Sequence, residues 1–134
     1  MGERSTIIPQ FSNSAKDAKE GSLKFNVHTL RSQIELFKAH HGGVIPNGTN
    51  NLEQLTKSTN VSGTIGAAGP AFPYGPYLQT QLPPNPFSGL NTVKLDAGTG
   101  VPPATAGNGG GWIYRPATGE IWVDHVDYVS KPAF

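Results

Sequence analysis

The side chains with the most chemical potential in this sequence are four histidines and two late carboxylates. His28, His40, His41 and His125 are the only histidines, and there is no cysteine. His40 and His41 are adjacent, so on a helix they point about 100° apart and share a metal ion poorly. A zinc site would need partner ligands that no spacing here supplies. Asp124 and Asp127, with loop carbonyls near Asn108, can hold calcium, which accepts oxygen ligands from loops. The competing reading is two solvated carboxylates, and no cofactor is expected. Residues Gly107 to Gly111 are glycine-rich, but no Lys-Ser/Thr pair follows and a strand comes next, so this is not a phosphate loop. No serine sits in a nucleophile elbow. With no candidate acid–base pair either, an enzyme is not expected. Trp112, Tyr114 and Trp122 can form a stacking platform for single-stranded nucleic acid or another small ligand. Only Arg115 is firmly basic nearby, which favours these rings as core.

Composition narrows the classes further. The chain has 134 residues, enough for one domain, and a net charge of +1. No basic field argues for nucleic acid, and no block of like charge suggests a disordered tail. The missing cysteines remove disulfides, thiolate metal sites and thiol nucleophiles together. Seventeen glycines and twelve prolines, almost all after residue 41, make the second part turn-rich. No apolar run approaches the roughly 18 residues a membrane span needs. The opening residues lack an apolar signal-peptide core. As written, the chain reads as soluble.

The element that positions everything else is a long helix from about Ser14 to His41. Leu23, Val27, Leu30, Ile34 and Phe37 are spaced four, three, four, three. They fall on one stripe about 80° wide, which must be buried. Gly42 and Gly43 end the helix, since glycine accepts the left-handed cap conformation. A second, weaker stripe of Phe11, Ala18, Phe25 and Leu36 lies on the opposite face. These are either scattered surface residues or a face that meets other helices in an assembly. Gly21 inside the helical run should cost about 1 kcal/mol relative to alanine.

Beyond the helix, Asn51 is expected to cap a short helix whose Leu52 and Leu55 point inward. Residues 58–69 read as a loop. The prolines of Leu82-Pro83-Pro84-Asn85-Pro86-Phe87 forbid helix and a central strand. Tyr74, Tyr77, Leu78, Leu82 and Phe87 are expected to cover the helix stripe. Val93 to Leu95 suits a short strand. Residues 96–111 form a second long loop, of a length that is uncommon without a role. Trp112 to Asp124 reads as a β-hairpin turning at Pro116-Ala117-Thr118-Gly119. Within it Trp112 and Tyr114 share one face of their strand, and Ile121 and Val123 one face of theirs. The tail from Tyr128 to Phe134 either pairs or trails.

This ordered set resembles the type IV pilin-like family, and within it the major pseudopilins of type II secretion systems. The residues that carry the resemblance are Ile8-Pro9-Gln10-Phe11, Leu30 to Phe37 with His41-Gly42-Gly43, and Leu52-Glu53-Gln54-Leu55-Thr56. Gly75-Pro76-Tyr77-Leu78, Leu82 to Gly89 and the hairpin from Gly111 to Ile121 complete it. The resemblance spans roughly residues 7–124. It implies an α+β pilin-like fold: one helix of about 30 residues packed on a small antiparallel sheet, with long Gly/Pro-rich loops. Residues 1–6 then read as a start foreign to the family, 7–42 as the helix, and 43–134 as the loop-rich remainder of one domain. The family's leader, apolar stem and glutamate would lie upstream of Ile7, so the chain reads as a trimmed form or a fragment.

The function implied is structural: a methylated, inner-membrane-anchored periplasmic subunit in the bacterial cell envelope, self-associating into a pseudopilus that assists protein export. Its partners would be other pseudopilins and the inner-membrane secretion platform, with no nucleic acid involved. The face of Phe11, Ala18, Phe25 and Leu36 would then pack against neighbouring helices. The alternatives are a type IV pilin for adhesion, motility or DNA uptake, and a small aromatic-platform binding module. The disulfide loop usual in pilins cannot form without cysteine, which favours the pseudopilin.

Overall fold

The computed structural model describes residues 11–107 and 109–134, with side chains from residue 14 onward. The sequence readings at residues 1–6, Ile7 to Gln10 and Asn108 lie outside the described residues. Helix α1 runs Phe11–His40, 30 residues. It stops two residues short of the expected end, and the reason is visible at its carboxyl end. Gly42 and Gly43 take φ of 65° and 91°. The Gly43 N–H turns back to the Lys38 carbonyl at 2.8 Å, which satisfies a carbonyl the last turn leaves open.

All five stripe residues are buried. Leu23, Val27, Leu30 and Phe37 are fully inaccessible, and Ile34 is 2% exposed. The sheet that receives them has three strands: β1 (Val93–Leu95), β2 (Trp112–Arg115) and β3 (Glu120–Val123), in the order β1-β2-β3. β2 and β3 form the expected antiparallel hairpin around Pro116 to Gly119, with Trp112 opposite Val123 and Tyr114 opposite Ile121. Opposed residues share a face, so these four side chains meet the helix stripe in one core. The polar ends of the two large rings are also satisfied. Trp112 Nε1–H donates to the Pro83 carbonyl at 2.9 Å, and the Tyr114 hydroxyl to the Pro46 carbonyl at 2.6 Å.

The sheet is mixed, which corrects the antiparallel expectation. β1 pairs parallel with β2, Val93 beside Trp112 and Leu95 beside Tyr114. A parallel pair needs a crossover of a dozen or more residues. The long loop over residues 96–111 supplies it without a helix.

The short helix after Asn51 is also different. Only a 3₁₀ turn forms, Glu53–Leu55, and Asn51 does not cap it. Asn50, Asn51 and Leu52 all take positive φ, 48°, 57° and 60°. This left-handed run drives Leu52 and Leu55 into the core, both fully buried. It also turns the Asn51 carboxamide outward, where Oδ1 accepts the Val93 N–H of β1 at 2.8 Å.

The proline-rich segment lies over the helix much as expected. Leu82 is in the core, with Tyr77, Leu78 and Phe87 packed against it. The N–H groups of Tyr77 and Leu78 both donate to the Leu55 carbonyl at 2.8 Å, tying this segment to the 3₁₀ turn. Tyr74 instead leans on the rings of His40 and His41.

Candidate functional site

Among the described residues, one face of α1 is committed to the core and the opposite face is left uncovered. Phe25 is 71% exposed there and Leu36 42%. Ala18 is exposed beside them. Phe11 opens the helix, and its side chain lies outside the described residues. The charges of α1 from Lys16 onward fall either on the core side or on the flank of Lys24, Arg31 and Glu35. The outer arc of Ser14, Ala18, Phe25, Ser32, Leu36 and Ala39 carries no Lys, Arg, Asp or Glu, on a helical repeat of about 100° per residue. A water-facing helix surface normally carries its charges on that side. This one carries a phenyl ring, a leucine and small residues instead.

Gly21 lies on the same side, and a Cβ built there meets nothing within 4 Å. Nothing inside the described residues requires glycine at that position.

Three of the four histidines make contacts within the fold. His41 is 2% exposed and stacks on Phe37, ring centroids 3.7 Å apart. Its Nδ1 lies 2.6 Å from the Phe37 carbonyl, so that nitrogen carries a proton, and Nε2 faces the Thr59 hydroxyl at 2.8 Å. His40 is exposed, its Nδ1 2.8 Å from the Tyr77 hydroxyl. Burial, then the neighbouring Tyr74, push the Tyr77 phenol up to about 12. His125 is buried between Phe87 and Tyr128 and accepts the Asp127 N–H on Nδ1 at 3.1 Å. His28 is exposed on α1.

Asp124 and Asp127 are placed in different surroundings. Asp124 is 2% exposed, and its carboxylate is surrounded by donors. Oδ1 accepts the Thr105 N–H at 2.7 Å, and Oδ2 accepts the Thr105 hydroxyl at 2.8 Å and the Gly110 N–H at 3.2 Å. In this arrangement the carboxylate pins the 96–111 crossover to the end of β3. Asp127 is exposed. Among the described residues, no group of three or more His, Asp or Glu side chains stands together as metal ligands.

The three rings do not make one exposed platform. Trp112 and Tyr114 are fully buried on the helix side of the sheet. Trp122 is opposite Ile113, on the other face, with the Arg115 guanidinium 4.7 Å above its ring. Strand alternation alone separates them.

Two polar links were not foreseen from the sequence. Arg115 is buried at the end of β2 and donates from Nε to Asp96 Oδ2 at 2.7 Å and from Nη2 to the Gly100 carbonyl at 2.7 Å. The hydrogen bond from this guanidinium holds the Asp96 carboxyl below the usual range. Tyr128, 2% exposed, donates to Glu20 Oε2 at 2.5 Å and packs on Phe87 and Phe134. The tail therefore docks on the first half of α1. The only sequence sign of this was an aromatic at each end of the tail.

The chain matches no family model, no curated protein and no solved structure. Among the described residues, no helix is long and apolar enough to cross a membrane.

Proposed function

We propose that this chain is the globular part of a pilin-like filament subunit, a pseudopilin of a type II secretion pseudopilus in the bacterial envelope. The observation that carries the reading is the outer face of α1. A 30-residue helix uses one stripe to hold its own sheet, and its opposite face, without charge, displays Phe25 and Leu36. Helices bundled at the centre of a filament bury that kind of surface, while the sheet and loops stay outside. The α+β layout and the ordered sequence resemblance support the same reading. In it the protein does no chemistry. It stacks on copies of itself and on related subunits, and machinery at the inner membrane drives the stack to push cargo outward.

The test is made on the protein as its native cells produce it, by intact mass and N-terminal sequencing of membrane and sheared-surface fractions. An apolar stem upstream of Ile7 beginning with an N-methylated residue supports the proposal. A native chain that begins at Met1 and remains unassembled overturns it.

A further inference from the structure

A small pocket of about 190 Å³ lies between the left-handed turn at Asn50 and Asn51, the segment that leads into Pro83 and the approach to β1. Leu82, 3% exposed, is the one apolar residue that lines it. Three asparagines of its wall are each anchored by one end of the carboxamide. Asn51 Oδ1 accepts the Val93 N–H at 2.8 Å, which leaves Nδ2 unspent. Asn91 Nδ2 donates to the Leu82 carbonyl at 3.2 Å, which leaves Oδ1. Asn50 Nδ2 donates to Glu53 Oε1 at 3.1 Å, again leaving Oδ1. These partners settle which end of each carboxamide is nitrogen and which is oxygen. Asn50 and Asn51 reach the pocket through φ of 48° and 57°, a conformation asparagine tolerates better than most residues. Thr80 and Gln81 complete the wall. Both are exposed, and neither side chain makes a hydrogen bond to another described residue.

The chemistry of this wall is narrow. None of the lining residues carries a charge. A hard cation asks for carboxylate oxygens, and a phosphate or carboxylate asks for Arg, Lys or clustered N–H groups. An aromatic or lipid ligand asks for a mainly apolar wall. The volume is below the roughly 300–1,000 Å³ of sites for drug-sized ligands, so it has room for a single ring. Free carboxamide ends and hydroxyls, donors beside acceptors, pair best with groups that both donate and accept. We propose that this pocket binds a neutral sugar ring. Its adjacent hydroxyls take up the unspent ends of Asn50, Asn51 and Asn91, Thr80 and Gln81 add further hydrogen bonds, and Leu82 lies against the C–H face of the ring. The asparagines are anchored before the ligand arrives, so binding does not have to order them. No residue of α1 lines the pocket, so binding there and packing through the outer face are separate properties.

The experiment is a titration of the isotope-labelled protein with the methyl glycosides of glucose, galactose and mannose in turn, each to tens of millimolar. It is read on the side-chain NH₂ signals of asparagine and glutamine. The expected result is saturable shifts of the Asn51, Asn91 and Gln81 signals with at least one sugar. The signal of Asn26, which is held by the Pro84 carbonyl outside the pocket, stays in place. A few neutral hydrogen bonds in an open pocket give a Kd on the order of millimolar. Thr80→Ala and Gln81→Ala each remove a group with no hydrogen bond in the fold, and the amide spectrum reports directly that the variants are folded. Each weakens binding about two- to tenfold, the range of one neutral hydrogen bond. A tetrasaccharide of the same sugar that binds more tightly marks a glycan chain as the source of the ring, and equal binding marks a free sugar; both support the proposal. It is overturned if none of the three sugars gives saturable shifts, if the shifts lie elsewhere, or if both variants bind as the parent does. It is also overturned if tetrahydropyran, inorganic phosphate or calcium moves the same signals as far, because sugar hydroxyls are then not what the pocket recognises.

Discussion

Arg115 leaves the sheet with its guanidinium almost out of water, and Asp96 is what makes that position tolerable. The pair is 2.7 Å apart at Nε, with Gly100, Trp122 and, at 3.5 Å, the Glu120 carboxylate completing the surroundings. Because the folded Asp96 carboxyl sits below its unfolded value, its contribution is fully present above the ordinary carboxylate range, near pH 4. It is lost as pH falls through the lower folded value. Asp96→Asn should therefore lower the urea midpoint at pH 7 and differ less from the parent at pH 3; an equal difference at both would contradict the pairing. The tyrosines work at the other end of the scale. Burial, then the Glu20 contact, push the Tyr128 phenol upward, as burial does for Tyr114. A phenol with a raised folded value keeps its proton while the unfolded chain releases it, so stability holds below about pH 10 and falls above it. Urea midpoints from pH 8 to 11 should show that fall, and Tyr128→Phe should make it shallower. Neither Arg115 nor Tyr128 could be paired from the sequence. Their partners lie 19 and 108 positions away, and nothing local marks either link.

At the scale of elements, the two faces of α1 make opposite predictions. Leu30 is fully buried, and Leu30→Ala should cost about 2–5 kcal/mol through the lost contacts and the cavity left behind. Phe25 is mostly exposed, and Phe25→Ala should stay within about 0.5 kcal/mol in the isolated domain. Gly21→Ala has open space and should stabilise the helix by about 1 kcal/mol. Thermal or urea melts of the three variants check all of this. The stripe was legible because burial repeats at the helical period, and the hairpin because two alternating runs flank a turn. β1 was harder: three residues show no alternation worth the name, and nothing in Val93 to Leu95 says parallel. The left-handed run at Asn50 to Leu52 was also hidden. Leucine rarely takes positive φ, and here tertiary burial of Leu52 overrides the local preference that would have made Asn51 a cap.

At the scale of the whole molecule, the described residues wrap one side of a long helix with sheet, proline-rich segment and tail, and none of them covers the other side. The core side was readable from residues 23 to 37 alone. The outer side was readable only as a pattern, because exposed apolar residues acquire meaning once the structure shows which face is already filled. The proposed assembly runs through that uncovered side. The most direct measurement uses the absence of cysteine. Single cysteines placed at Ala18, Phe25 and Leu36, one per variant, are treated in native cells with a bifunctional thiol cross-linker, with Thr99 in the exposed crossover loop as the control. A ladder of cross-linked multimers is expected from the three helix positions and monomer from the loop. Monomer from all three helix positions, or multimers only from the loop, would contradict it.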